Sequence, residues 1–521
     1  METRTGNPAS SALVWIGLTF LALAGLWLLV VAWEDGLSGG RDFVQDYAAV
    51  VKIGAGRNPY EPYNDVTQQV FGGPPHRGPL YSFHAPSSLP LLVWLLPFAT
   101  LWGYPGAFLA WGSVSVLALW AICWLTLRVL GMPFASVAGL LGALALICLP
   151  AIRESFEEGQ LNVVVALGMV GCWAARRSGR SGLAGVLLGI GFALKPIPGL
   201  FFLYYAWRRD WRLLIAAGAT VAVLSVVGVG LAGLEGTRLW ATVNYPSHAG
   251  VWPGYPDNAS VRGFFTRIFG PSEWRPRPRL PLPYTSMLLW GASGALLTLA
   301  ALTVARARDS DDGPDEPDRQ GTPLQRLLRL TVAPPLARDN PHNDLEIATL
   351  TGLTLLVTPI VWPHYYVVLV MPVAVLTAYL GRIVFSKHPA TTPVDDEVAD
   401  DEPQEQAATT GAWLPERADA SWSGEDSPES GDDPPDSTPV PDDRRRAGPA
   451  LALVALLVST AFLASAEYVE PFRGAGGQLL IAIITIYAVS LVALAWSRQS
   501  AGPVQAQGPS QGLGSAPELA R

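Results

Sequence analysis

The feature that most constrains this chain is a series of apolar runs about 20 residues long with almost no charge. Coiled into a helix, a run of that length matches the hydrocarbon core of a bilayer. Twelve such segments lie near 11–33, 86–101, 104–127, 134–150, 159–177, 183–206, 211–233, 284–305, 345–361, 364–384, 448–467 and 475–497. Composition agrees: 15% of the 521 residues are charged, against roughly 25% in soluble domains. The reading is an all-α polytopic membrane protein. It excludes a soluble enzyme, a secreted disulfide scaffold and a DNA-binding domain, and no nucleic-acid partner is expected.

The net charge of −8 is misplaced evidence, because it is local. Residues 391–447 hold 17 acidic and 4 basic side chains, which leaves 31 basic and 26 acidic residues elsewhere. The organisation expected is a membrane core over 1–388, a disordered acidic insert over 389–447, a helix pair over 448–497 and a disordered tail over 498–521. The insert is too poor in apolar residues to offset the entropy of ordering. Cys123, Cys148 and Cys172 lie in apolar stretches without metal-ligand spacing and read as small buried hydrophobes. The first run, Ser11–Trp33, has no small-residue cleavage site after it and reads as an uncleaved transmembrane helix.

Arginine clusters orient the segments. Arg176, Arg177 and Arg180 precede segment 183–206, and Arg208, Arg209 and Arg212 follow it. A single crossing would put one cluster on the wrong side. The segment is also interrupted at Lys195-Pro196-Ile197-Pro198. A helix does not run straight through two prolines, and a lysine at membrane depth is expensive. A broken hairpin with both ends inside resolves the conflict, with Lys195 at its apex beside a polar cavity. Segment 86–101, with Pro86, Pro90 and Pro97, also reads as non-spanning. Ten crossings result, against twelve if every segment spans. Both schemes place the termini in the cytoplasm, and loops 34–85 and 234–283 with the turn at Pro363 outside.

The polar residues then gather on one face. Residues 42–53 form an amphipathic surface helix ended by glycines, with Asp42 and Asp46 near its start. Asp42 is placed either to act as a general base on a hydroxyl or to cap the helix. His84 lies in the aromatic stretch Tyr81-Ser82-Phe83-His84-Ala85-Pro86, which also suits an interfacial belt. Gln160 and Asn162 open an apolar helix, where amides either bind a polar substrate or cap the turn. Lys195 is suited to a phosphate, with snorkelling as the bland alternative. Asn258 lies in Asp257-Asn258-Ala259-Ser260, also a glycosylation sequon, with Arg262 close behind. His364 lies in Trp362-Pro363-His364-Tyr365 and serves either the site or the packing. No phosphate-binding loop, Gly-x-Ser-x-Gly or His-Glu-x-x-His pattern is present, so a donor would come from the lipid phase.

Taken in order, these motifs resemble glycosyltransferase family 87. The set is Asp42-Phe43 with Tyr47-Ala48-Ala49, Gly56-Arg57-Asn58-Pro59-Tyr60, Tyr81–Pro86, Gly159-Gln160-Leu161-Asn162, Gly185-x-x-x-Gly189 leading to Lys195-Pro196, Asn258-Ala259-Ser260-Val261, and Thr358–Tyr365. The resemblance spans about 11–385. It implies a GT-C-like bundle of 10–12 transmembrane helices with long extracytoplasmic loops, in a multi-pass cell-membrane enzyme. It implies a polyprenyl-phosphate sugar donor, typically mannose, and a glycolipid or glycan acceptor outside the membrane. Transfer would invert the anomeric centre, often making α-1,2-mannosyl links in actinobacterial envelopes. Asp42 would be the general base, and Lys195, with His364, would hold the donor phosphate. Gln160, Asn162, Asn258, Arg262 and His84 would contact substrate, with no cofactor and no metal. The sequence departs from the family pattern at Tyr81–Pro86 and at Asp46, where an aromatic residue is usual, so Asp46 competes for the base role. A transporter or flippase of a polar lipid-linked substrate is the rival reading, since it also places a lysine at a broken helix. A non-catalytic scaffold is another.

Overall fold

A computed structural model describes residues 8–38, 41–62, 64–72, 88–132, 136–246, 252–270, 283–306, 341–385, six residues between 449 and 456, and 476–499. Tyr81–Pro86 with His84, the acidic insert 389–447 and the tail from 500 onward lie outside the described residues. Among the described residues there is no strand, and the chain is an all-α, polytopic membrane protein.

The helices are α1 (Pro8–Leu37), α2 (Arg41–Gly54), α3 (Asn64–Phe71), α4 (Leu89–Leu101), α5 (Tyr104–Val129), α6 (Ser136–Leu146), α7 (Pro150–Glu157) and α8 (Asn162–Arg177). They continue with α9 (Ser181–Leu194), α10 (Gly199–Trp207), α11 (Trp211–Leu239), α12 (Val261–Phe269), α13 (Pro283–Arg306), α14 (Pro341–Val357), α15 (Val370–Phe385) and α16 (Gly476–Gln499). Spans long and apolar enough to cross a bilayer unaided run over Ala12–Leu37, Tyr104–Val129, Trp211–Asn244 and Pro363–Val384. Segment 86–101 yields only the 13 residues of α4. At 1.5 Å per residue that falls short of a hydrocarbon core of about 30 Å.

The break at Lys195 is real, and the chain turns back there. α9 ends at Leu194 and α10 begins at Gly199. At the start of the segment Ser181 Oγ donates to Asp210 Oδ2, just past its end, at 3.2 Å. Arg176, at the end of α8, pairs with the same carboxylate at 2.6 Å. Both ends of the hairpin therefore lie at one level, and Lys195 lies at the other. Glycines bring its neighbours close. Gly185 sits against Leu213 and Ala216, and Gly189 against Ala217 and Thr220, so α9 and α11 run the same way. Gly168 meets Gly191, and Gly171 meets Leu187, so α8 and α9 run opposite ways. Such small-residue contacts replace the hydrophobic drive that lipid does not supply. At the apex Ser88 Oγ donates to the carbonyls of Ala193 and Leu194 at 3.1 and 3.2 Å, filling acceptors that a helix end leaves open.

The level that holds Asp210 carries a set of buried ion pairs. Arg208 binds Glu346, which also accepts from Tyr204 Oη at 2.6 Å. Arg177 faces Asp344 at 3.4 Å, and Trp173 Nε1 donates to the same carboxylate at 2.8 Å. These contacts clamp α8 and α10 to the first turns of α14.

Two departures from the expected segments shape the opposite level. The run 134–150 is not one helix: α6 stops at Leu146 and α7 leaves at 87° to it. α7 then packs along the tight turns of Pro363–Leu369. The expected loop 234–283 also contains helix: α11 continues to Leu239, a π-turn follows over Trp240–Asn244, and α12 is capped by Ser260. Cys123 and Cys172 are buried and Cys148 is half-buried.

Candidate active site

Helix α2 is amphipathic, as its sequence requires, and buries Phe43, Val44, Tyr47, Ala48 and Val50. Phe43 and Tyr47 pack on Phe108 and Tyr104, with ring centroids 5.5 and 5.3 Å apart. The motif that follows winds around Lys52, which is 1% exposed and donates to the carbonyl of Glu61 at 3.0 Å. Burial pulls the Lys52 ammonium below the usual lysine range, while Asp65 opposes that shift. Asn244 Nδ2, from the far end of the π-turn, donates to Tyr60 O at 3.1 Å and ties this loop to α11.

Asp42 lies inside the first turn of α2, and its carboxylate is engaged both from within that helix and from outside it. Gln45 Nε2 donates to Oδ1 at 3.3 Å, and Gln160 Nε2 donates to Oδ2. The turn before α8 makes the second contact possible. Gly159 has φ +64°, and a Cβ there would fall 2.6 Å from Phe43 Cβ. Phe43 N donates to Glu158 O at 3.0 Å, and Trp111 Nε1 to Gly159 O at 3.0 Å. A side chain at 159 would push α2 and the turn apart.

Gln160 faces a cation with its other atom. Lys195 Nζ donates to Gln160 Oε1 at 3.2 Å and to Asn162 Oδ1 at 3.0 Å. It also sits over the Tyr365 ring, 4.1 Å from the centroid. Asn162, fully buried, donates through Nδ2 to the carbonyl of His364 at 3.4 Å. Asp42, Gln160, Asn162, Lys195 and His364, from four parts of the chain, are thus one connected cluster. Asp46, one turn along α2, is within electrostatic reach of Lys195.

Asn258 does not join them. Its Nδ2 reaches the carbonyls of Trp252, Pro253 and Pro359 at 3.3, 3.2 and 3.4 Å, and its Oδ1 accepts from the amides of Ser260 and Val361 at 3.0 Å each. An amide has two donor hydrogens and two lone pairs. Backbone groups take them all, and they brace loop 252–260 against the segment before His364. Arg262 lies over Trp290, 5.6 Å from the ring centroid. Trp290, Leu200, Gly294, Thr298 and Val357 line an apolar groove of about 490 Å³ between α10 and α13.

Two carboxylates here were not among the candidate site residues. Glu154 on α7 contacts His364 Nδ1 at 3.1 Å. Asp257 lies near enough to Glu154 to feel its charge, and burial and that charge together hold its carboxyl above the usual range. The one sequence signal was an Arg-Glu pair just after an apolar run.

A comparison with protein families matches residues 88–319 to "Glycosyltransferase family 87". The resemblance to family 87 holds. The match contains Gln160, Asn162 and Lys195, whereas Asp42 and His364 lie outside it and are joined to family 87's stretch by the contacts above. Two curated relatives are described as polyprenol-phosphate-mannose-dependent alpha-(1-2)-phosphatidylinositol mannoside mannosyltransferases. The one from Mycolicibacterium smegmatis is 32% identical over 266 residues, 51% of this chain and 52% of that protein. The one from Mycobacterium tuberculosis is 28% identical over 352 residues, 63% of this chain and 72% of that protein. A third, from Mycolicibacterium smegmatis, is described as the corresponding pentamannoside mannosyltransferase and is 26% identical over 33% of this chain and 43% of its own length. The chain thus spans about half the length of the first of these relatives. No solved structure matches.

Proposed function

We propose that this protein moves mannose from a polyprenyl-phosphate donor to a mannosylated phosphatidylinositol or a similar glycolipid, with inversion. The observation that carries the reading is the chain Asp42–Gln160–Lys195. One amide holds a carboxylate on one side and an ammonium on the other. Those are the two charges that an in-line displacement on a phosphate-linked sugar requires. The acceptor hydroxyl oxygen attacks the anomeric carbon while Asp42 takes its proton. The bond from that carbon to the phosphate oxygen breaks, and Lys195 faces the charge left on the polyprenyl phosphate. A single displacement inverts the centre. Gln160 keeps Asp42 turned toward the reacting hydroxyl, and Asp46 is the second carboxylate on the same face.

The groove between α10 and α13 supports a prenyl tail. It is apolar, and Leu200 in its wall is five residues beyond Lys195. Sidedness follows from charge: the level of Arg176, Arg177 and Arg208 faces the cytoplasm and the site faces outward. Both termini are cytoplasmic on the same scheme.

The test is transfer by purified protein in nanodiscs, given polyprenyl-phosphate mannose and a panel of phosphatidylinositol mannosides. Wild type should transfer and Asp42→Ala should fall by a factor of about 10² or more, the size expected when a general base is lost. Equal transfer by both would move the base to Asp46 or elsewhere. No transfer by wild type, with the lipid crossing the bilayer instead, would favour a flippase.

A further inference from the structure

His364 is gripped by a helix that the mechanism above leaves idle. α7 packs along Pro363–Leu369, and two consecutive residues reach across. Ser155 Oγ donates to the His364 carbonyl at 3.1 Å, which fixes the backbone. Glu154 Oε1 lies 3.1 Å from Nδ1, which fixes the ring. The other ring nitrogen, Nε2, is buried and has no hydrogen-bond partner among the described residues, and His364 as a whole is only 4% exposed. A carboxylate only accepts hydrogen bonds, so this contact puts the histidine proton on Nδ1 and leaves Nε2 bare.

We propose that Glu154 is a positioning residue that fixes His364 as the Nδ1–H tautomer, so that Nε2 takes up a proton when the donor phosphate binds. The inference rests on the donor reading given above. A bare ring nitrogen and a phosphate oxygen are both acceptors and repel one another. Once a proton from solvent is added at Nε2, the ring donates to the phosphate through Nε2–H and to Glu154 through Nδ1–H. The charge count shows why this matters. The bound donor is a phosphodiester with one negative charge. When its bond to the sugar breaks, the polyprenyl phosphate leaves with two, because the acceptor proton has gone to Asp42. Lys195 offsets one charge and an imidazolium at His364 offsets the second. Glu154 stabilises that imidazolium from behind. The charged groups around it are Lys195 at the hairpin apex, Asp42 on α2, Glu154 on α7 and Asp257, which faces Glu154. Burial and Lys195 resist a second cation, and Asp42 and the contact with Glu154 favour it. Tyr365 and Tyr366 are the titratable neighbours within its own segment.

The experiment is nitrogen-15 NMR of histidine-labelled protein in nanodiscs, with His364→Gln assigning the signal among six histidines. Without ligand, Nδ1 should be protonated and Nε2 bare. Adding polyprenyl phosphate should protonate Nε2. Glu154→Gln should abolish that uptake and weaken polyprenyl phosphate binding about tenfold, the effect of one charge-assisted hydrogen bond. Its deficit should narrow as pH rises, since wild type loses the proton that the variant never takes up. Glu154→Asp, which keeps the carboxylate, should recover part of the loss, and in the His364→Gln background Glu154→Gln should add nothing. A merely structural role for Glu154 would leave the pH dependence unchanged, and that result would overturn the inference. So would an Nε2–H tautomer in the free wild type, or polyprenyl phosphate binding with no change at Nε2. Failure of wild type to bind polyprenyl phosphate while the Nδ1 proton is present would instead overturn the donor reading, because the tautomer signal needs no ligand.

Discussion

At the scale of single residues, Gln160 has its orientation dictated from both sides. Its NH₂ must face the Asp42 carboxylate and its oxygen must face the Lys195 ammonium. Neither Glu nor Leu can serve both neighbours. Glu would set two carboxylates against each other, and Leu would leave an ammonium without an acceptor. Asp257 is the opposite case, a group held against its preference. Burial and the nearby Glu154 charge raise its carboxyl above the ordinary value, so its ionised form weakens the fold at neutral pH. The sign follows from linkage: a raised folded value favours the protonated acid, and that stability is lost as pH climbs through the folded value. Asp257→Asn should therefore melt above wild type at pH 7, and the gap should close toward pH 4. A thermal melt at both values checks it, and a gap that stays constant would count against the charge argument. Arg267 does not depend on Asp257, since it also donates to the carbonyls of Tyr255 and Asn258 at 3.0 and 2.8 Å.

Among the elements, the hairpin is fitted to its neighbours by missing side chains. A Cβ at Gly185 would lie 2.2 Å from the Leu213 carbonyl oxygen, which is backbone and unable to swing away. Gly185→Ala should destabilise the protein by about 1–3 kcal/mol, the usual cost of overpacking. It should also cut transfer, because wedging α9 from α11 shifts Lys195 off Asn162. Melting and transfer rate measured on the same sample would test both halves. Much of this element was legible beforehand. A lysine between prolines, flanked by arginines on both sides, leaves few arrangements in which the basic groups share one face. The amphipathic pattern of 42–53 was equally plain. α7 was not, because an apolar run from 134 to 150 carries no mark of an 87° turn inside it. Nor was the pairing of Glu154 with His364, 210 residues apart. The backbone bracing by Asn258 was not legible either, because a polar residue in a loop looks the same in sequence whether it faces a ligand or its own backbone.

For the molecule as a whole, charge is divided by level. Buried arginine–carboxylate pairs hold one end, and the Asp42–Gln160–Lys195 cluster with its flanking carboxylates holds the other. Ser178 and Pro256 are exposed and stand at the two ends. In a background with Cys123, Cys148 and Cys172 replaced by alanine, Ser178→Cys should react with a membrane-impermeant maleimide only after the cells are opened. Pro256→Cys should react on intact cells. The reverse pattern would overturn the sidedness proposed here. The sequence match to family 87 stops before His364, so the geometry of the assembled bundle, more than the aligned stretch, brings the histidine to the lysine.

The hairpin also bears on how the protein is made. Neither half is long enough to be accepted into the bilayer as a span in its own right, and its turn carries a half-buried cation. While the chain is being synthesised, α9 and α10 have no stable place until α11 has emerged and Asp210 has met Ser181 and Arg176. Insertion of this stretch is therefore expected to wait for α11. A change at Asp210, at the end of the bundle away from Lys195, should lower the amount of folded protein before it alters the site.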